Sequence, residues 1–157
     1  MITITKDTKV WDKIKKDLMK QARQDLELRI GFFEESKYGE ENDNLQVAQV
    51  AQWNEEGSEN NPTRPFMRVG FMVPIQKGIY RDNFKVSINA ILEGRSTFAA
   101  EYTKLGPMAV EDLKSVIDEW STPPNSPRTV EEKGFNDPLI WTGTMRNSVD
   151  YKIEKGD

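Results

Sequence analysis

Residues 149–154, VDYKIE, alternate apolar and polar side chains without a break. A two-residue period puts Val149, Tyr151 and Ile153 on one face of an extended chain, as in a half-buried strand. Its backbone groups need a partner strand. The best internal match is 26–32, LELRIGF, which alternates in the same way. Pairing the two gives a small antiparallel sheet, and most of the sequence between them reads as helix. The expected fold is therefore α+β: a small antiparallel sheet packed against several helices, with extended loops.

Working outward from the sheet, Asp7 or Thr8 can cap a first helix over about 8–24. Val10, Trp11, Ile14, Leu18 and Ala22 recur there at helical spacing, with lysines opposite. A second helix spans 45–54, and Gly57 is its natural C-terminal cap. The apolar run 66–73 fits a strand or a helical turn equally. From Pro74 a helical pattern runs to about Leu92, with Tyr80, Phe84, Ile88, Ile91 and Leu92 in one stripe, and Gly94 ends it. Another helix starts at Ser96 or Thr97. Gly106-Pro107 is expected to interrupt it before the stripe Ala109, Leu113, Val116, Ile117 and Trp120. Thr129 with Glu132 resembles a capping box and predicts one helical turn over 130–133. The chain reads as a single domain, 1–157, with extended segments at about 34–44, 57–65 and 121–137. The first of these reads as a mobile loop or hairpin tip.

Composition excludes much chemistry. The 157 residues are 36% hydrophobic and 31% charged, so much of the chain is exposed or is completed by neighbours. The net charge of −4 gives no general attraction to nucleic acid or anionic lipid. Without cysteine or histidine there is no disulfide, thiol nucleophile or imidazole base, and no ordinary zinc ligand set. No apolar run approaches the roughly 20 residues of a membrane span, and Met1–Lys6 lacks the core of a signal peptide. The expected setting is cytosol-like, or a particle assembled there. Glycine-rich phosphate loops are missing.

Adjacent acids occur at Glu34/Glu35, Glu40/Glu41, Glu55/Glu56 and Glu131/Glu132. Two carboxylates can hydrolyse a glycoside, yet adjacent acids in loops read first as solvated surface. The oxygen-rich 40–44 lacks EF-hand spacing for a hard cation. No catalytic residue, cofactor or metal is expected. The four tryptophans read as core or interface anchors. Arg64 and Arg68 read as a solvated pair flanking a buried Phe66, with a docking element as the sharper alternative.

Two longer stretches are more specific: VAQVAQWNEEGSENNPTRPFMR (47–68) and PPNSPRTVEEKGFNDPLIWTGTMRNSVDYKI (123–153). Together, in this order, they resemble the tailed-bacteriophage neck and tail-completion proteins of the HK97-like group and their myophage virion-morphogenesis relatives. The first stretch carries the resemblance at Ala51, Asn54, Glu55, Gly57, Arg64, Pro65, Phe66 and Arg68. The second carries it at Pro124, Asn125, Pro127, Thr129, Lys133, Pro138, Leu139, Thr142, Gly143, Met145, Arg146 and Ser148. The chain departs from the pattern at Glu56 and Trp141, where the family often has other residue types.

The resemblance implies a structural virion protein rather than an enzyme. It implies a homo-oligomeric ring, sixfold or twelvefold, at the head–tail junction, assembled in the host bacterial cytoplasm. The implied partners are neighbouring connector or head-completion proteins and tail-tube or terminator proteins. No membrane is involved, and DNA passes through the lumen only as cargo. A tail terminator capping the tube is the nearest alternative. A small adaptor binding a peptide or nucleic acid, and a carboxylate hydrolase, are the alternatives from other classes.

Within this reading the 121–137 arm drapes over its own domain or a neighbour. Leu139, Ile140 and Trp141 anchor it in an apolar groove, and Gly143 permits a sharp turn. Thr142 caps 143–147, and Arg146 pairs with an acid. The candidate interface residues are Trp53, Asn54, Glu55, Gly57, Arg64, Pro65, Phe66, Arg68, Pro124, Asn125, Leu139, Trp141, Gly143 and Arg146.

Overall fold

The structure, a computed structural model, describes residues 8–156. Its elements in chain order are α1 (Thr8–Ala22), β1 (Leu26–Gly31), α2 (Val47–Glu56), α3 (Phe66–Gln76), α4 (Ile79–Leu92), α5 (Phe98–Glu119), α6 (Pro127–Lys133), α7 (Thr144–Asn147) and β2 (Asp150–Lys155). The fold is α+β. β1 and β2 pair antiparallel, with Leu28 opposite Ile153 and Ile30 opposite Tyr151, so the expected partners meet. Each strand keeps one edge without a partner strand among the described residues. A two-stranded sheet is marginal alone. Here α5 packs against both strands. Gly106 makes that approach close, because a Cβ there would overlap the Tyr151 ring.

The core lies where α2, α3, α5 and α7 converge. Val47, Ala51, Phe66, Leu113, Ile117, Leu139, Met145 and Val149 form one buried cluster. Phe66 is its largest fully buried side chain and meets the Phe32 ring edge-on, with centroids 6.2 Å apart. Both resemblance-bearing stretches therefore feed a single core.

Several sequence expectations change. The run 66–73 is helical, and Pro74 lies inside α3 instead of opening a helix. Pro74 has no N–H to offer the carbonyl of Gly70. The helix ends soon after, at Gln76, and Gly78, with φ +74°, separates α3 from α4. Gly106-Pro107 does not interrupt α5, which runs continuously for 22 residues. Its packing on the sheet outweighs the poor local propensity. The helix α6 starts earlier than the Thr129 capping box implied. Ser126 is its cap, its Oγ accepting from Thr129 N at 3.2 Å, and Pro127 takes the first helical position.

The apolar stripe of α4 is covered only in part, with Ile91 buried and Tyr80 half-buried. Phe84, Ile88 and Leu92 are exposed, and the buried residues are Ser87, Ala90 and Ile91. A polar staple selects that face. Ser87 Oγ donates to Glu101 Oε2 at 2.8 Å, joining α4 to α5. Glu101 also accepts from Lys104 at 2.6 Å and from Ser96 Oγ. These donors, Lys104 first, hold the buried Glu101 carboxyl down at about 2.

The 34–44 segment closes as a hairpin-like turn. Tyr38 N donates to Leu45 O at 2.9 Å and Val47 N to Ser36 O at 3.1 Å. The 121–137 segment contains α6 and lies on its own chain, through contacts described next.

Candidate functional site

Arg64 is the centre of the site. The sequence presented it as half of a solvated pair, but it is only 4% exposed. Its Nε donates to Pro123 O at 3.1 Å, and Nη2 to Pro124 O at 3.2 Å. Its Nη1 donates to Asn61 Oδ1 at 2.8 Å and to Asn54 Oδ1 at 3.3 Å. One guanidinium thus ties the end of α2, the 57–65 loop and the start of the 121–137 arm. All these acceptors are neutral, and among the described residues no carboxylate pairs with it. Burial pushes its pKa down. Arg68 is exposed as expected.

The rest of the first stretch builds around this tie. Gly57 ends α2 with φ +81°, its N donating to Trp53 O at 3.0 Å. Asn61 Nδ2 donates to Trp53 O at 3.1 Å. Sequence reasoning missed Asn61, because its setting SENNP reads only as turn formers. Glu55 is also corrected. Its carboxylate accepts from Met67 N at 2.8 Å and Arg68 N at 3.2 Å, capping α3 from outside the helix. An acid belongs at that N-terminus, where free N–H groups and the helix dipole converge. Pro65 then leads Phe66 into the core.

The second stretch meets the first from the other side. Asn125 N donates to Asn136 Oδ1 at 3.0 Å, while Asn125 Nδ2 is buried and has no partner among the described residues. Leu139 is buried, but Trp141 is 59% exposed, so only part of the expected apolar anchor is seated. Lys133 Nζ donates to Asp137 O at 2.6 Å and lies 4.8 Å from the Phe135 ring centre and 5.8 Å from that of Trp141. Burial lowers its pKa, and the Arg64 charge acts in the same direction. Gly143 has φ +80° immediately before α7, and Thr142 Oγ1 accepts from Thr144 N at 3.3 Å. Arg146 Nε donates to both oxygens of Asp118, at 2.7 and 2.9 Å, which raises the Arg146 pKa. Asp118 is the acid the sequence anticipated without naming.

Between the two stretches lies a cavity of about 490 Å³. Trp53, Asn54, Arg64, Asn125, Leu139, Trp141 and Gly143 line it, and Trp53 and Trp141 keep exposed indoles. The other candidates lie outside the lining. Glu55, Gly57, Pro65, Phe66 and Pro124 hold the framework, Arg146 ties α7 to α5, and Arg68 faces solvent. The cavity sets two cations, Arg64 and Lys133, both already hydrogen-bonded within the chain, beside exposed apolar rings. That chemistry suits docking of a protein segment with an apolar side chain near a carboxylate. Among the described residues no group of acids is placed to hold a metal ion. No known protein family, curated protein or solved structure matches the chain in comparison.

Proposed function

We propose that this chain is a ring-forming structural subunit of the head–tail joint of a tailed bacteriophage, acting in neck assembly or tail completion. The observation that carries the reading is the convergence of the two resemblance-bearing stretches. Residues of 47–68 and of 123–153 share one core and one buried arginine. The exposed apolar surface supports the same reading. Among the described residues fourteen large hydrophobic side chains stay substantially exposed, including Trp11, Trp53 and Trp141. Where such residues gather into a patch, they mark a surface for a partner. The subunit's work is geometric: a rigid body presents shallow docking surfaces, and closed symmetry multiplies modest contacts.

Electron microscopy of the purified chain, with localisation of the protein in phage particles, tests the reading. Rings and density at the neck are the expected outcome. A protein that stays monomeric and is absent from particles rejects it. Retention on DNA at low ionic strength, released by salt, favours the nucleic-acid adaptor instead.

A further inference from the structure

The fold leaves two apolar surfaces on the same chain that complement each other. The first is on α1. No residue of this 15-residue helix is buried, and Trp11 is 66% exposed. A helix of this length is marginal in water unless its apolar face is covered. The second is a groove of about 290 Å³ between β1, α3, α4 and α5, lined by Leu28, Ile30, Phe71, Ile75, Tyr80 and Phe84. Ile75 and Phe84 on its walls are 55% and 45% exposed. An aromatic knob on one surface and an unfilled apolar pocket on another define a head-to-tail contact between copies. Such a contact closes into a ring where the rotation allows.

Charge selects the same occupant. The helix α1 carries five lysines and two aspartates, net +3. The whole chain is −4, so the residues outside α1 carry −7. At the groove, Asp112 accepts the Tyr80 hydroxyl at 2.8 Å, and among the described residues no cation pairs with it. Lys15 follows Trp11 by one helical turn on the same flank of α1, so seating the indole carries a lysine toward that rim. Anionic lipid or nucleic acid would attract the lysines but would also meet the acidic body and leave the groove empty.

We propose that Trp11 of one copy seats in the β1–α3–α4–α5 groove of the next copy, with Lys15 facing Asp112. The inference rests on the reading of the chain as a self-assembling subunit and names the element that joins neighbours.

Full-length wild type, Trp11→Asp and Phe84→Asp, followed by light scattering, test the seating. Circular dichroism checks folding; neither position is buried, and Ile75→Asp serves as a second groove variant. Wild type should assemble beyond a dimer, and each variant alone should stay monomeric. An equimolar mixture of Trp11→Asp with Phe84→Asp should give a one-to-one dimer, because one supplies the intact groove and the other the intact indole. If Trp11→Asp assembles like wild type, or the mixture stays monomeric, the seating is wrong and the ring reading survives. Wild-type binding to phosphatidylserine vesicles through Trp11, in place of self-assembly, also overturns the seating. A wild type that stays monomeric overturns both.

Discussion

Phe66 and Phe84 sit on successive helices and have opposite fates. Phe66 has no exposed surface, held among α2, α5 and α7, whereas Phe84 is 45% exposed on α4. The contrast extends to their regions. Around Phe66, short irregular segments are fastened by specific polar ties: Arg64 to two backbone carbonyls, Glu55 to the start of α3, Arg146 to Asp118. Around Phe84, the α1 and α4 helices carry regular apolar stripes, yet much of that surface lies open. The motif-rich region is tied together by polar contacts of its own chain, whereas the periodic region leaves apolar surface exposed. Helical periodicity predicts that a face will be buried, without saying in which molecule.

The sharpest way to break this comparison is truncation of the two phenylalanines. Phe66→Ala should cost about 3–5 kcal/mol of stability in urea unfolding, the usual range for a phenylalanine in a packed core. Phe84→Ala should cost under about 0.5 kcal/mol in dilute monomer, as for surface sites. Equal effects would erase the distinction between the regions. Next in size is Arg64→Met, which keeps bulk but strands the acceptors around it. A loss of roughly 2–4 kcal/mol is expected, with earlier proteolysis of the 121–126 segment than in wild type. Gly143→Val should lose about 1–2 kcal/mol. The nearest non-neighbour atom to an added Cβ is 3.5 Å away, so the cost is the backbone strain at φ +80° rather than a clash. Gly143→Ala should recover part of it.

A further prediction concerns pH. Folding lowers the Glu101 pKa from 4.5 to about 2. Its contribution is therefore fully present above the ordinary carboxylate range and is lost as pH falls through that window. Acid titration of unfolding should show Glu101→Gln with a flatter stability profile between about 4.5 and 2 than wild type. Superimposable slopes there would remove the staple between α4 and α5 from the account.

The sheet was legible because two-residue alternation is a strong local signal and only two segments shared it. Helix existence was legible for the same reason. Helix boundaries were less so, since Pro74, Pro107 and Gly106 carry local penalties that packing overrides. At the site, Gly57, Phe66, Gly143 and Arg146 declared themselves through residue type and position. The burial of Arg64 did not, because its partners are backbone carbonyls far along the chain, a helical asparagine and a second asparagine in a loop of turn formers. Glu55 was hidden likewise: its ligands are the N–H groups of Met67 and Arg68, and no side-chain pattern announces a backbone donor. Trp141 misled in the other direction, because an indole beside Leu139 and Ile140 suggests burial that the fold does not provide.

The pairing of β1 with β2 also sets an order of events. The two strands lie at opposite ends of the described sequence, so β1 stays single until residues 150–155 have been synthesised. Contacts of such long sequence separation form late, after the local helices. Leu28 and Ile30 belong to β1 and to the groove wall. A nascent chain therefore completes the groove wall only once residues 150–155 are available to pair with β1.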